Sequence, residues 1–394
     1  MKDEQFTGLV LSGGGARAAY QVGVLKAIAR IRQESLRRRR ASPFKVISGT
    51  SAGAINGVAL ACGADDFDRA VRQLVDVWEN FRAEQVYRAD SLGVIRSGAG
   101  WLTMLSLGWL VNRWRRGMPR SLLDNYPLED LLKRLVPLER LPALMDRGYL
   151  QAVAITASSY SSGMHVTFYE SVEEVTEWER FQRISVRDRI THPHLLASAA
   201  IPFVFPSVGL PLRGRLEYFG DGSMRQIAPL SSAIHLGARR LLVIGAGRMN
   251  EPAAERPVAA GYPSVAQIAG HAMSSIFLDA LAVDVERLQR INRTLGLMSS
   301  TRRAQSPLRP IELLLIAPSQ RLDEIASRHI GALPATIRTL LGVLGVRGGE
   351  GRRVARRERV GGDGRGRRLG PCIAQLGRRR EPGWVPPAQC QRAA

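Results

Sequence analysis

The chain has 394 residues, of which 45% are hydrophobic and 23% charged, and this composition excludes a mini-protein, a collagen-like repeat and a wholly disordered chain. The 56 basic residues outnumber the 35 acidic ones and give a formal net charge of +21, which suits an anionic surface such as a membrane without requiring one. Three cysteines without CxxC spacing predict neither a disulfide framework nor a zinc site and favour a reducing compartment.

The first sixty or so residues alternate between strand and helix patterns. Residues 9–11 predict a short buried strand, glycines 13–15 interrupt it, and residues 16–32 carry apolar side chains at helical spacing. Residues 44–47 predict the next strand, and a second glycine turn leads into a predicted helix over 52–62. Because a β-α-β-α opening implies a right-handed crossover, we expect the two strands to be parallel.

The later segments continue this alternation. Strand patterns occupy residues 151–156, 165–169, 216–219, 240–244 and 311–316, and helical patterns occupy 229–236 and 264–291. The predicted fold class is therefore α/β, a three-layer α/β/α sandwich with a mostly parallel central sheet.

A serine stands at the sharpest predicted turn. The segment Gly49-Thr50-Ser51-Ala52-Gly53 follows the second strand and opens the next helix, and this is the context in which a G-x-S-x-G pattern indicates a nucleophile. The helix N-terminus offers unpaired N–H groups and the positive end of the helix dipole. Ser51 is accordingly a candidate nucleophile, with Gly49 and Gly53 as supporting residues; the alternative is an ordinary tight turn.

A second glycine turn is predicted to lie beside this serine. The segment Gly13-Gly14-Gly15-Ala16-Arg17 also connects a strand to a helix, and the carboxyl ends of parallel strands meet at one edge of a sheet. Successive glycine N–H groups in such a turn can hold an oxyanion. A dinucleotide loop is the competing interpretation, but no clear acidic residue ends the second strand, where Ile47-Ser48-Gly49 stands.

A nucleophilic serine needs a proton acceptor. Asp221 lies in a glycine turn after a strand pattern, although an Asp-Gly pair by itself is usually a turn signal. The rival bases are His192 and His194, which would make a Ser-His-Asp triad, whereas ordinary structural roles are expected for His165 and His235. No cluster of histidines and carboxylates has convincing metal-ligand spacing, so no metal is expected.

Together these motifs resemble the patatin-like phospholipase family. The resemblance covers about residues 8–236 and rests on the segments Gly13 to Arg17, Gly49 to Gly53 with Ala54-Ile55-Asn56 following, Asp221-Gly222, and Ala197 to Pro202 with Phe205-Pro206. Their order and spacing are far more specific than any one motif alone.

The resemblance implies a Ser-Asp dyad without histidine and without a cofactor. In it Ser51 is the nucleophile, Asp221 the base, and the amides of Gly13, Gly14 and Gly15 the oxyanion hole. Gly222 is a supporting residue. Arg17 is a candidate to steady the loop or to meet a lipid phosphate, or it is an ordinary residue at the start of a helix.

The expected domain organisation follows from the range that the resemblance covers. Residues 8–236 form the catalytic domain, 237–346 a C-terminal α/β extension packed on the same sheet, and 347–394 a Gly/Arg-rich tail that is disordered or translated out of frame. Within the catalytic domain, residues 92–120 are an insertion with three tryptophans and a basic end. This pattern is typical of a helix that docks on a membrane, or of a lid or core helix.

The expected function is hydrolysis of carboxylic esters of phospholipids or other lipids. No targeting segment is recognised, and the apolar run over 99–111 is shorter than the ~20 residues of a spanning helix. The predicted location is therefore the cytoplasm, with peripheral association at the inner membrane face. The alternatives are a Ser-His-Asp esterase acting on non-lipid esters, and a non-catalytic module that binds an anionic membrane or nucleic acid through the arginines at 37–40 and the tail. No specific nucleic acid is expected as a partner.

Overall fold

The computed structural model describes residues 6–35, 40–80, 85–86, 121, 123–249, 265–329 and 331. Three predictions fall outside this part of the chain: most of the arginine run at 37–40, the insertion at 92–120 and the tail at 347–394. The described residues form a central sheet with helices on both faces, which confirms the predicted α/β class.

The sheet has ten strands in the described part of the chain, in the order β10-β9-β1-β2-β3-β4-β6-β5, and the β7-β8 hairpin joins it through β3. The strands are β1 Phe6–Leu11, β2 Val46–Thr50, β3 Ala152–Ser159, β4 His165–Ser171, β5 Glu179–Arg180, β6 Arg183–Arg187, β7 Val208–Leu212, β8 Arg215–Asp221, β9 Ala238–Ile244 and β10 Glu312–Ile316.

Half of the sheet is parallel throughout. Strands β10, β9, β1, β2 and β3 run in one direction, as the β-α-β-α opening predicts. The pairs β3-β4 and β3-β8 are antiparallel. The short connection between β3 and β4 explains the first of these pairs, because so few residues can join only antiparallel neighbours.

The helices cover both faces. They are α1 Ala19–Ser35, α2 Ala52–Ala61, α3 Phe67–Glu79, α4 Tyr126–Leu135, α5 Arg140–Asp146, α6 His192–Ser198, α7 Ser231–His235, α8 Val265–Leu297, α9 Ser300–Gln305 and α10 Leu322–Ser327. None of the helices in the described ranges combines the length and the apolar character needed to cross a membrane.

Alternate residues of the strands enter two separate cores. Leu9 and Leu11 of β1 join the core beneath α1 to α6, whereas Val10 joins the core beneath α7 and α8. This alternation follows from the two-residue period of a strand. It gives the three layers that the sequence predicts.

The predicted element boundaries are shifted in several places. The second strand begins at Val46 instead of Phe44, and a 3₁₀ turn over Gly15–Ala18 precedes the first helix, which begins at Ala19. Helix α3 and the short strands β5, β6 and β7 are not among the predicted elements. Strands β9 and β10 extend the same sheet, with β9 directly beside β1; a domain boundary at residue 236 stays a prediction.

Candidate active site

Ser51 occupies the sharp turn between β2 and α2, with φ 55° and ψ −131°. A positive φ is uncommon for a residue with a side chain and persists only when the surrounding structure enforces it. The glycines on either side of Ser51 let the turn pack closely against its neighbours. A Cβ at Gly53 would lie 2.4 Å from the carbonyl oxygen of Leu11, and a Cβ at Gly49 would lie 2.5 Å from the carbonyl oxygen of Gly53. We call residues 49–53 the elbow.

The strand β8 brings a carboxylate to this serine. Thr50, the last residue of β2, pairs with Thr156 of β3, and the next residue of β3, Ala157, pairs with Asp221. Strand β4 pairs along the other edge of β3. Strand β8 therefore pairs with β3 on the same edge as β2, starting where β2 ends at the elbow. The hydroxyl of Ser51 donates a hydrogen bond of 2.5 Å to Oδ2 of Asp221.

Asp221 is fully buried, and its burial raises the pKa of the carboxyl to about 6, although hydrogen bonds from Ser51 and Ser223 act in the opposite direction. The other carboxylate oxygen, Oδ1, accepts the backbone N–H of Ser223 at 2.8 Å. The turn is tight, since a Cβ at Gly222 would lie 2.3 Å from the carbonyl oxygen of Thr156. Asp221 is therefore a stronger base than an exposed aspartate and is still largely ionised at pH 7.

The segment at the end of α6 holds both members of this pair. The backbone N–H of Ser51 donates to the hydroxyl of Ser198 at 2.9 Å. The backbone N–H of Asp221 donates to the carbonyl oxygen of Ala200 at 2.9 Å. No role is predicted for these two residues from the sequence, although the family resemblance includes their segment.

The glycine loop, residues 13–15, lies against the pair from the side of β1. A Cβ at Gly13 would lie 2.2 Å from the hydroxyl oxygen of Ser223 and 3.4 Å from Cβ of Ser51. The N–H groups of Gly13 and Gly14 donate no hydrogen bond to the backbone of the described residues. The backbone N–H of Arg17 donates to the carbonyl oxygen of Gly14 at 3.1 Å and closes the turn. The glycine loop thus places main-chain donors close to Ser51.

A relay of buried amides supports the glycine loop from behind. The side chain of Gln21 donates to the carbonyl oxygen of Ser12 at 2.7 Å, and Asn56 donates to Gln21 at 3.2 Å. Trp78 donates in turn to Asn56 at 2.9 Å. This relay was not predicted. Asn56 is the one amide in the otherwise apolar α2, whereas Gln21 lies in α1 among several charged and polar residues.

No histidine of the described ranges forms a hydrogen bond with Ser51. His192 contacts the carbonyl oxygen of Val136 at 3.0 Å, and His194 bonds to Thr191 at the start of α6. His165 is buried in β4, and its burial lowers its pKa to about 4. The hydroxyl of Ser51 therefore has a carboxylate as its partner and not an imidazole.

The described residues contain no group of three or more His, Cys, Asp or Glu side chains arranged to hold a metal ion.

Comparisons with known proteins include one match over more than half of the chain. A family model described as patatin-like phospholipase matches residues 9–234. Lysophospholipase nte1 of Aspergillus terreus is 47% identical over 58 residues, which cover 15% of this chain and 3% of that protein.

Two bacterial proteins of known structure also match. VipD of Legionella pneumophila aligns with a TM-score of 0.33 and 12% identity, over 80% of this chain and 62% of that one. The type III effector ExoU of Pseudomonas aeruginosa aligns with a TM-score of 0.29 and 16% identity, over 76% and 58%. The chain thus spans less than two thirds of the length of each of these three relatives.

Proposed function

We propose that this chain, which belongs to the patatin-like phospholipase family, is a serine acyl hydrolase that cleaves carboxylic ester bonds of phospholipids or related lipids. The observation that carries the proposal is the 2.5 Å hydrogen bond from the strained Ser51 to the fully buried Asp221. A nucleophile and a base in direct contact, beside main-chain donors that have no backbone acceptor among the described residues, form the arrangement that acyl transfer requires.

In the first half of the reaction, Oγ of Ser51 attacks the ester carbonyl carbon while its proton passes to Oδ2 of Asp221. Because a carboxylate is a weak base for an alcohol, proton removal accompanies the attack and does not precede it. The tetrahedral intermediate then expels the alcohol of the lipid, which takes the proton from Asp221. Ser51 is left as an acyl ester, which water hydrolyses with Asp221 again as base.

The negative charge of the intermediate falls on the former carbonyl oxygen. The amides of Gly13, Gly14 and Gly15 are the proposed donors to this oxygen, because the glycine loop lies against Ser51 and its first two N–H groups have no backbone acceptor among the described residues. Losing one donor of this kind typically costs about 3 to 4 kcal/mol of transition-state stabilisation.

Exposed apolar side chains on β8, the strand that ends at Asp221, support a lipid substrate. The ring of Tyr160 lies over Gly220, since a Cβ there would be 2.2 Å from its hydroxyl oxygen. On β8, Leu216 is 64% and Tyr218 52% exposed. Such a surface suits acyl chains or a bilayer interface, and the net charge of +21 favours anionic lipid. The proposed location is the cytoplasm, with peripheral association at the inner membrane face.

The proposal is tested by comparing Ser51→Ala with Ser42→Ala, a buried serine that precedes β2 at the opposite edge of the sheet. We expect Ser51→Ala to lower turnover of p-nitrophenyl butyrate, and fatty-acid release from phosphatidylglycerol vesicles, by about 10⁴-fold or more. Ser42→Ala keeps the wild-type rates. Turnover retained by a folded Ser51→Ala variant contradicts the proposal. If the enzyme hydrolyses the soluble ester but neither phospholipids nor lysophospholipids, the proposal is restricted to non-lipid esters.

A further inference from the structure

The hairpin of β5 and β6 carries an apolar side chain on its turn. Arg180 pairs with Arg183 across the hairpin, which leaves Phe181 and Gln182 as the two residues of the turn; we call them the tip. Phe181 is 86% exposed, so its ring contributes little to the core. Single exposed apolar side chains are ordinary on protein surfaces, and exposure alone therefore assigns this one no role.

The backbone of the tip is held in place from two sides. Gln182 has φ 55°, a left-handed conformation that is uncommon for a residue with a side chain. Its carbonyl oxygen accepts the backbone N–H of His165 at 2.8 Å, and its side-chain oxygen accepts a hydrogen bond of 2.9 Å from the guanidinium of Arg225. Because these contacts order the turn in advance, little backbone entropy is lost when Phe181 meets a partner.

The tip lies at the edge of the sheet that carries the proposed catalytic pair. Strands β4 and β6 run parallel to each other and antiparallel to β3, so both begin at the edge where β3 ends. Ser158 of β3 pairs with His165, and His165 pairs with Arg183, the residue after the tip. Strand β8 brings Asp221 to the same end of β3, three strand spacings or about 15 Å from β6. A surface that contacts Phe181 therefore also faces the edge that holds Asp221.

Arginines surround the tip. Arg180 and Arg225 are exposed. Burial lowers the pKa of His235 at the end of α7, and the charges of three arginines lower it further. These three are Arg180, Arg309 and Arg183. Their positive charges therefore gather beside the hairpin, on the face of the sheet that α7 covers.

The acidic side chains beside these arginines do not cancel them, because each contacts a further arginine. Glu179 of β5 lies 3.9 Å from Arg213, and Asp284 of α8 lies 3.6 Å from Arg287. Positive charge therefore predominates around Phe181. An anionic bilayer attracts such a group of arginines, and its interface accepts an aromatic ring that water solvates poorly.

We propose that Phe181 and the arginines around it form the surface by which this chain docks on a bilayer of anionic phospholipid. The ring of Phe181 inserts at the boundary of headgroups and acyl chains, and Arg180 and Arg225 bind headgroup phosphates. The inference rests on the proposed function, and it adds the element that holds the catalytic edge of the sheet against the lipid.

The test measures vesicle binding separately from hydrolysis. Full-length chains that carry Ser51→Ala are floated with phosphatidylcholine vesicles that contain or lack phosphatidylglycerol, so that no substrate is consumed. We expect Phe181→Ala to weaken binding to the anionic vesicles about tenfold, and Arg180→Gln about fivefold. With Ser51 intact, neither change alters turnover of p-nitrophenyl butyrate, whereas hydrolysis of anionic vesicles falls with the binding.

The matched control is Leu297→Ala. Leu297 is also 86% exposed, and it is the last residue of α8. Asn292, near the same end of α8, bonds to Ile311 directly before β10 begins. Because β10 runs parallel to β9, β1 and β2, Leu297 lies at the opposite edge of the sheet from the tip. This variant keeps the vesicle binding of its parent.

Four results would contradict one of the two proposals. If Phe181→Ala binds anionic vesicles as tightly as its parent, or if Leu297→Ala weakens binding equally, the docking surface is overturned and the proposed function stands. A parent chain that binds no vesicles overturns the docking surface as well. So does a folded Phe181→Ala variant that loses turnover of the soluble ester, because the tip then supports the active site. A chain with Ser51 intact that binds vesicles through Phe181 but hydrolyses no ester overturns the proposed function alone.

Discussion

Two glycine turns meet at one edge of the sheet, and Gly53 of the elbow and Gly15 of the glycine loop are required for different reasons. In the elbow, a Cβ at Gly53 would lie 2.4 Å from a backbone carbonyl oxygen, so the glycine is required by close packing. In the glycine loop, Gly15 has φ +54° and no neighbour within 4 Å of a Cβ, so the glycine is required by its backbone conformation alone. Gly13 and Gly14 are packed as closely as Gly53, since their Cβ atoms would lie 2.2 Å from Ser223 and 2.4 Å from Ala246. Open space in the glycine loop is therefore found at Gly15.

Under the proposed function, the unfavourable features of the site lie mainly in Ser51 of the elbow and in the carboxyl that contacts it. Ser51 has a strained backbone, and its partner Asp221 is a buried carboxyl with a raised pKa. Both features are unfavourable for stability and useful for chemistry. In the glycine loop the positive φ belongs to Gly15, and a glycine adopts it without strain. The proposed site for the substrate oxygen is next to this loop.

The largest effect is expected for the base that contacts the elbow. Asp221→Asn keeps the shape of the side chain but removes the proton acceptor, so kcat/KM for a soluble ester should fall by about 10³-fold or more. The folded state should lose no stability, because an uncharged amide is easier to bury than a carboxylate. Kinetics together with thermal unfolding check both statements.

The control for this variant is Asp284→Asn, which changes another buried carboxyl with a raised pKa, one that accepts the backbone N–H of Leu230. Its activity should stay near that of wild type. Equal losses in the two variants would mean that Asp221 supports the fold and is not the base.

The next effect compares the two turns directly. Gly53→Ala forces a Cβ against backbone atoms that cannot move aside, and we expect it to lower the free energy of unfolding by about 3 kcal/mol. Gly15→Ala meets no atom and costs about 1 kcal/mol, the penalty of a positive φ. Denaturant unfolding of both variants measures the difference.

A third glycine, Gly23, is the control for these unfolding measurements. Gly23 lies within α1 and has open space around a Cβ, so Gly23→Ala should stabilise the chain by about 0.5 to 1 kcal/mol. If Gly15→Ala destabilises the protein more than Gly53→Ala does, the contrast between the two turns is wrong.

The smallest effect concerns pH. Since Asp221 has a pKa of about 6 and acts as a base only when ionised, kcat/KM should rise about tenfold per pH unit below pH 6 and level off above it. The folded state binds this proton more tightly than the unfolded state, so the contribution of Asp221 to stability decreases as pH rises from about 3.8 to 6. A rate profile without an inflection near pH 6 in the wild type would argue against Asp221 as the base.

The parts of the site that depend on local sequence were predictable. A strand, a glycine turn and a helix within a few residues are sufficient to indicate the elbow and the glycine loop, and the parallel pairing of β1 and β2 follows from their connection. The contact between Ser51 and Asp221 depends on the pairing of β8 with β3, about 60 residues apart in the chain, and the motifs by themselves do not contain that pairing.

The supporting contacts were not predictable from the sequence. Ser198 and Ala200 hold the backbones of Ser51 and Asp221, and nothing in a run of small residues indicates which hydroxyl or carbonyl will do so. Gln21 lies on the buried side of α1 and bonds to Ser12, the residue before the glycine loop. The apolar spacing of α1 does not indicate this contact. These roles appear only when distant segments are brought together by the sheet.

The central claim is that Ser51 becomes acylated with Asp221 as its base, and labelling with a fluorophosphonate probe tests it most directly. Mass spectrometry of the digested wild-type protein should find the adduct on the peptide that contains Ser51. Asp221→Asn should label far more slowly, and Ser51→Ala not at all. An adduct on a different residue, or equal labelling of the wild type and Asp221→Asn, would contradict the account.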